Sequence, residues 1–369
     1  MSTALLISII VPAYNAERTV ERCLRALLGQ YIECACEIIL VDDGSTDATA
    51  RLAEKFAPAV RLITQEHAGA AAARNRGLAE ARGTIILFTD ADCEPTPGWA
   101  ATLVEAIRAG ADGAKGTYRT RQRSLVARWV QAEYESKYRR MARLATIDFI
   151  DTYSAGYRRE ALEAVGGFDS KVVMVEDQEL SFRMAARGYK LVFVPQAVVY
   201  HTHVSTVRDY VRRKFRIGYW KVLVMSRYPA RIASDSHTPQ SIKLEMALLG
   251  LLALTLPALP FSRRARQAAQ AIAAILIAAT LPLAWQTARK DLPVGLLAPV
   301  MIALRAAGLL SGTVAGLLRF GPSAARRAVS TITNARRIEY NVADDNRHPG
   351  AGGGSTQERP RPPARDREG

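Results

Sequence analysis

A mostly parallel, Rossmann-like α/β sheet with flanking helices, followed by hydrophobic C-terminal membrane helices, is the architecture that three observations predict. Short β-rich runs alternate with segments of helical spacing along the N-terminal part, the trace that successive βαβ units leave in a sequence. The strand-like runs end in polar or acidic residues, where open α/β sheets collect their ligands. Three apolar runs then follow in close succession, at 246–261, 268–285 and 292–318.

Taken in order, LLISIIVPAY is the first strand and 16–29 the first helix. The opening residues lack a basic stretch and reach Pro12 too soon to cross a bilayer, so they read as a strand and not as a signal peptide. EIILVDD is the second strand, and Ser45, Thr46 or Asp47 is expected to cap a helix running to Phe56. VRLITQ is the third strand, 68–82 the third helix and TIILFTDAD the fourth strand. Beyond them, 124–146 reads as an amphipathic helix with Leu125, Trp129, Tyr134, Tyr138 and Met141 on one side. A strand-like TYSAGY, a turn at Gly166-Gly167, a helix over 176–187 and strands at KLVFV and AVVYH complete this part.

The chain has 369 residues and a formal net charge of +15, which calls for anionic partners: nucleic acid, phosphorylated metabolites or an anionic membrane face. The segment STVRDYVRRKFRIGYWKVLVMSRY mixes arginines with aromatics, as a helix lying at a membrane surface does. The apolar runs behind it favour the membrane over nucleic acid. The last two approach the ~20 residues of a span. The first is shorter and carries Pro257 and Pro260. Lys243, Arg263, Arg264 and Arg266 flank it on both sides, which prefers an interfacial or re-entrant first run and a hairpin of the other two. Arg305, inside the third run, is expected to face a polar cavity, a lipid headgroup or another helix, because a charge among lipid tails is costly. Cys23, Cys34, Cys36 and Cys93 form no metal-binding pair and read as free thiols of a reducing compartment.

The chemistry concentrates at strand ends. Asp90-Ala91-Asp92 closes an apolar strand, and two carboxylates there suit a hard divalent cation that neutralises a diphosphate. Asp177, with Glu176 beside it, opens a helix and offers a general base; ordinary stabilisation of a helix N-terminus is the competing reading. Asp42 and Asp43 end the second strand before Gly44. Gly69, Arg74 and Asn75 stand near a helix start, where backbone N–H groups and an arginine suit a phosphate.

VPAYNAE, VDDGSTD, GAAAARNRG, TDAD and EDQELSFRMAARGY occur in this order. Together they resemble glycosyltransferase family 2, which has the GT-A fold, over about residues 6 to 230. The resemblance implies an inverting transferase using a nucleotide sugar, most often a UDP-sugar, with Mg²⁺ or Mn²⁺. It places Pro12, Ala13, Tyr14, Asp43 and Arg74 in the nucleotide pocket. Asp90 and Asp92 resemble the family's DxD pair, with Asp92 the direct metal ligand and Asp90 also on the donor side. Asp177 matches the catalytic base. His201 is similar to a histidine that helps hold metal or diphosphate, with His203 its competitor. RRKFRIGYW stands where processive synthases carry Q-x-x-R-W and departs from it, which argues against processivity. Arg213, Arg216 and Trp220 are left to touch the diphosphate or acceptor, as is Glu176.

The order of domain and membrane runs resembles the subgroup serving exopolysaccharide and lipid-linked glycan assembly. That implies a polyprenyl-linked or polysaccharide acceptor, a bacterial-type inner membrane, a catalytic domain facing the cytoplasm and no nucleic acid partner. The division expected is a catalytic domain over 1–230, a membrane-associated helical region over 231–320 and a tail over 321–369, basic and then, from about Asp344, disordered. A catalytically inactive glycan- or nucleotide-binding relative is the alternative. A receiver domain would share the paired acids but explains neither EDQEL nor the membrane runs, and a membrane-bound nucleic-acid binder would leave the ordered acids unexplained.

Overall fold

The strand signal in the sequence rests on apolar runs, and those runs form the centre of the sheet. The computed structural model describes residues 6–345, with side chains through residue 321. Strand β1 (Leu6–Ala13) lies between β2 (Ala35–Asp42) and β4 (Ile85–Phe88), parallel to both, and β3 (Val60–Thr64) pairs with β2 in the same sense. Both faces of these strands are covered, which is why they read as continuous apolar runs and not as alternation. Ile7, Ile9 and Val11 face one core with α1 (Val20–Leu28) and α4 (Trp99–Arg108). Ile10 faces the other core with α3 (Ala70–Glu80), α6 (Arg159–Val165) and α7 (Glu176–Ala186).

The other half of the sheet is mixed. β7 (Ala155–Arg158) runs antiparallel to β4 and to β6 (Gly113–Arg119). β8 (Leu191–His201) is parallel to β6, and the short β5 (Cys93–Pro95) closes the edge antiparallel to β8. The strand order is β3-β2-β1-β4-β7-β6-β8-β5. The chain leaves β1 toward β2 and β3, then returns to the far side of β1 as β4. The carboxyl ends of β1 and β4 therefore flank a topological switch point, where α/β sheets open a crevice.

Several sequence expectations change here. KLVFV and AVVYH are one strand, β8, continuous through Pro195 and Gln196. β6 is GAKGTYR, whose two glycines and lysine hide a strand from a propensity reading. Neither Ser45 nor Thr46 caps α2 (Thr49–Glu54): the Ser45 hydroxyl accepts from the Asn15 amide at 2.9 Å, while Asp47 Oδ1 accepts from the Thr49 amide at 2.9 Å. α5 (Leu125–Met141) is capped by Ser124 and buries Trp129 and Met141, but Leu125 is exposed. The four cysteines are unpaired.

Past β8 come α8 (Val207–Arg227), the short α9 (Ala230–Ala233), α10 (Gln240–Thr255), α11 (Arg263–Ala288) and α12 (Leu292–Asp345). Three stretches, Gln240–Ala258, Arg263–Ala288 and Leu292–Gly321, are long and apolar enough to cross a membrane. The first starts six residues before the apolar run read from sequence, because it takes in Lys243 and Glu245. Glu245 can enter the helix because Arg305 of α12 neutralises it. Arg305 Nη2 donates to Glu245 Oε2 at 2.6 Å and Nη1 to Glu133 Oε1 on α5 at 2.8 Å, and Lys214 of α8 donates to Glu133 Oε2 at 3.0 Å. Of the partners expected for Arg305, neighbouring helices are the ones found. Burial alone would raise the Glu133 carboxyl, but Lys214 and Arg305 outweigh it and bring it down to about 2.

α8 and α12 meet backbone to backbone. A Cβ on Gly312 would sit 2.0 Å from the Phe215 carbonyl oxygen, and one on Gly218 would sit 2.3 Å from that of Leu309. Residues Met1–Gly321 form one compact unit. α12 continues to Asp345, and the disordered tail expected from Asp344 lies outside the described residues apart from its first two positions.

Candidate active site

The loops after β1 and β2 are tied together. Asn15 Oδ1 accepts from the Thr46 amide at 2.9 Å, and Asp43 is buried beneath them. Asp43 Oδ1 accepts from Gln65 Nε2 at 2.6 Å and the Ala68 amide at 2.9 Å; Oδ2 accepts from the Gly69 amide at 2.8 Å and faces His67 Nδ1 at 2.9 Å. Asp43 thus fixes the approach to α3. Pro12 and Ala13 end β1 beside it, and the exposed Tyr14 ring stacks on His67 at 4.1 Å. The result is a half-open aromatic platform over a rigid carboxylate.

Arg74, on α3, is buried. Its Nη2 donates to Asp90 Oδ1 at 2.9 Å and its Nη1 to Glu176 Oε1 at 2.6 Å. Burial opposes the charge, but the two carboxylates more than offset it and raise the guanidinium pKa further. One side chain therefore joins the acids at the end of β4 to the acids that open α7. Val175, just before α7, has φ 63°, a left-handed value that a β-branched residue rarely adopts. That turn delivers Glu176 and Asp177 to the same end of the sheet. Burial, and then the Glu176 carboxylate, push Asp177 up to about 7 against the pull of Arg74.

Asp92 lies at the β5–β8 edge, where Cys93 pairs with His201 in register. His201 Nε2 is 3.4 Å from Asp92 Oδ2. The hydrogen bonds behind His201 set its tautomer. Gln131 Nε2 donates to the Tyr118 carbonyl at 3.2 Å, which leaves Gln131 Oε1 to accept from His203 Nε2 at 3.1 Å. His203 Nδ1 must then accept, and its partner at 3.0 Å is His201 Nδ1–H. His203 stays neutral, its pKa brought down to about 3 chiefly by burial. His201 Nε2 therefore aims a lone pair at a carboxylate, an arrangement a cation completes.

Ligand atoms of Asp92, Cys93 and His201 lie within 4.8 Å of one another. Burial keeps the Cys93 thiol protonated, so the working donors are one oxygen and one nitrogen, with Asp90 Oδ2 also unclaimed by Arg74. This donor set fits Mg²⁺ or Mn²⁺.

Within electrostatic reach of Asp177, Lys115 is buried in contact with Asp151 and donates to the Tyr153 hydroxyl at 3.1 Å. Tyr118, Tyr134, Tyr138 and Tyr153 pack into a wall, with Tyr118 stacked on His201 at 5.2 Å. Arg213, half-buried on α8, lends its charge to the Asp92 side of the site.

The sequence profile described as Glycosyl transferase family 2 matches residues 8–166. Over those residues the chain is similar to the family 2 glycosyltransferases. It is 28% identical to glycosyltransferase AglE of Haloferax volcanii, over 60% of this chain and 75% of that protein. It is 30% identical to the putative glycosyltransferase EpsH of Bacillus subtilis, over 58% of this chain and 65% of that protein. The pre-mycofactocin glycosyltransferase of Mycobacterium tuberculosis is 28% identical, and there the match spans 62% of this chain but only about half (49%) of the relative. Among solved structures, the mannosyltransferase PcManGT of Pyrobaculum calidifontis, in complex with GDP-Man and Mn²⁺, superposes with a TM-score of 0.53 at 21% identity, covering 86% of this chain and 88% of that one. That likeness is one of fold, and the fold is GT-A.

The structure brings Tyr14, Asp43, Asp90, Asp92, Glu176, Asp177 and His201 to one end of the sheet. Two expected residues, Arg74 and Trp220, are placed otherwise. Arg74 is enclosed by two carboxylates behind the surface, so it organises the acids and does not offer its guanidinium to a nucleotide. Trp220 packs against Phe320 of α12 at 5.6 Å, in the junction between helices. Arg216 is exposed on α8 and makes no ion pair among the described residues. Sequence reasoning missed His67, Lys115, Gln131 and the tyrosine wall. The His67-Ala68-Gly69 approach to α3 was a usable signal for the first. The others sit on β6, on α5 and, for Tyr153, in the turn before β7, outside any motif.

Proposed function

We propose that this glycosyltransferase moves a sugar from a nucleoside-diphosphate sugar, with inversion, to a hydroxyl of a membrane-associated acceptor, a polyprenyl-linked glycan of exopolysaccharide or envelope assembly. The observation that carries the reading is the Arg74 bridge, which sets the Asp90/Asp92 pair and the Glu176/Asp177 pair against one another at the switch point. One acid pair suits a diphosphate with its cation, and the other suits a proton acceptor.

Asp92 and His201 would hold the divalent ion, with Asp90 beside them; when bound, it supplies positive charge to a leaving diphosphate. The Tyr14–His67 platform suits the face of a nucleobase. Asp177, titrating near 7, takes the proton from the acceptor hydroxyl. The oxygen then attacks the anomeric carbon as the bond to the diphosphate breaks, and the diphosphate departs with the electron pair. One displacement inverts that carbon, so no enzyme nucleophile is required. Arg213 adds charge on the side of the leaving group. The apolar helices support a membrane-bound acceptor, and a nucleotide-sugar donor supports a cytoplasmic face for the catalytic unit.

The test is a donor screen on membranes containing the protein, with each labelled nucleotide sugar, in Mn²⁺ or Mg²⁺ and in EDTA. Metal-dependent label in the organic-extractable fraction from one donor is the expected result. Metal-dependent nucleotide binding without transfer from any donor to lipid would count against the acceptor class, and no nucleotide binding would remove the donor reading.

A further inference from the structure

The basic residues of the chain are not evenly matched with acids. Most of the buried or half-buried ones near the site have a carboxylate: Arg74 has two, Lys214 has Glu133, Lys115 has Asp151 and Arg231 has Asp148. Two ammonium groups do not. Lys137 of α5 donates to His237 Nε2 at 2.8 Å, and Lys221 of α8 donates to Thr238 Oγ1 at 2.7 Å. Both partners are neutral. His237 must be neutral to accept from Lys137, and its Nδ1 is buried with no partner among the described residues. Its ring lies within electrostatic reach of Lys137, Lys115, Lys221 and Lys214. Asp235, and Asp148 from the segment after α5, lend Lys221 some opposing charge but make no ion pair with it.

We propose that Lys137, Lys221 and His237 form an anion subsite for the phosphate or diphosphate group of the acceptor. The inference rests on the membrane-acceptor reading above and gives it a place. The cluster adjoins the proposed base: the Lys137 ammonium lies 4.9 Å over the Tyr134 ring of the tyrosine wall, and Lys115 is within electrostatic reach of both Asp177 and Lys137. It also adjoins the first apolar helix, since His237 and Thr238 lie immediately before Gln240–Ala258. A phosphate ester held there would leave its lipid tail beside that helix and its sugar end toward Asp177. Burial, and then the Lys214 charge, bring Lys137 down to about 7, so a bound anion would restore its full charge.

The experiment uses the full chain purified in detergent and transferred to phosphatidylcholine nanodiscs, in EDTA so that the donor site does not contribute. Binding of a polyisoprenyl phosphate is compared with binding of the corresponding polyisoprenol and of inorganic pyrophosphate. The parent should prefer the phosphorylated lipid to the alcohol by about tenfold or more, the scale of hydrogen bonds to charged groups. Lys137→Met and Lys221→Met should each remove about that factor, while Lys137→Arg and Lys221→Arg retain most of it. Loss of pyrophosphate binding in the same Met variants would assign the site to a phosphate whether or not lipid is attached; loss for the lipid alone would assign it to a lipid-borne one. Equal binding of all probes by parent and Met variants would overturn the subsite. Metal-dependent nucleotide binding, measured on the same preparations with Mn²⁺ in place of EDTA, reports whether the variants are folded. Its absence in the parent would instead mark failure of the donor reading.

Discussion

The half of this molecule proposed to hold the donor, the donor half, and the half proposed to hold the acceptor, the acceptor half, are built by different means. The donor half consists of β1 to β4 and the loops at their carboxyl ends, and its residues act close to where they stand in sequence. The acceptor half is assembled from α5, α8, the turn at 235–238 and the apolar helices, by contacts between residues far apart: Glu133 with Arg305, Arg128 with Asp291, Lys137 with His237. In the first, a motif and its place are nearly the same information. In the second, the place exists only after folding. The two halves should therefore break in different ways.

The largest effect is expected within the second half, where its helices are joined to one another. Arg305→Ala leaves Glu133 and Glu245 without their shared guanidinium, and breaking such a buried pair costs about 3–5 kcal/mol. Thermal unfolding of the detergent-purified variant should show a lowered transition, and Glu133→Gln/Glu245→Gln added to Arg305→Met should recover much of it. Gly312→Leu should be comparably damaging, because its side chain would meet the Phe215 carbonyl. A Gly312→Leu protein as stable as the parent would mean that α8 and α12 are not in backbone contact.

A smaller, more local effect is expected of the relay behind His201. Gln131→Leu removes the acceptor that fixes the His203 tautomer, and through it that of His201. Loss of such outer partners typically weakens metal binding 10–100-fold. Titration of Mn²⁺ followed by the decline of its free EPR signal would measure this, with the thermal transition nearly unchanged. Undiminished affinity would show that His201 needs no such orientation.

The smallest effect concerns pH. Asp177 titrates near 7 in the folded chain and lower when unfolded, so the folded state holds its proton more tightly. Its contribution to stability is thus present at low pH and fades as pH rises from about 4 to 7. Asp177→Asn should therefore stabilise the protein relative to the parent at pH 8 but not at pH 4. Transfer should move the opposite way, rising through about pH 7 as the base is freed. An Asp177→Asn difference in thermal transition that ignores pH would place the raised carboxyl elsewhere.

How much could be read in advance follows the same division. Asp43, Asp90, Asp92, Asp177 and His201 were legible because each ends a strand or opens a helix whose apolar pattern is plain. The role of Arg74 was not, because its two partners lie 16 and 102 residues away and only the fold reveals that it faces inward. β6 was missed because its strand pairing is supplied by β7 and β8 and not by its own residues. Trp220 was assigned by the position of a motif the chain does not carry, and packing against α12 claims it instead. Arg305 was legible as a problem, a charge in an apolar run, but its solution lay on two other helices.

The measurement closest to the central claim sets two variants side by side, each assayed for metal-dependent nucleotide binding and for sugar transfer. Asp177→Asn should bind nucleotide as the parent does and lose transfer by about a hundredfold or more, the scale of general-base catalysis. Asp92→Ala should lose the metal dependence of binding itself. Parental transfer by Asp177→Asn, or unchanged metal dependence in Asp92→Ala, would contradict the division of labour between the two acid pairs.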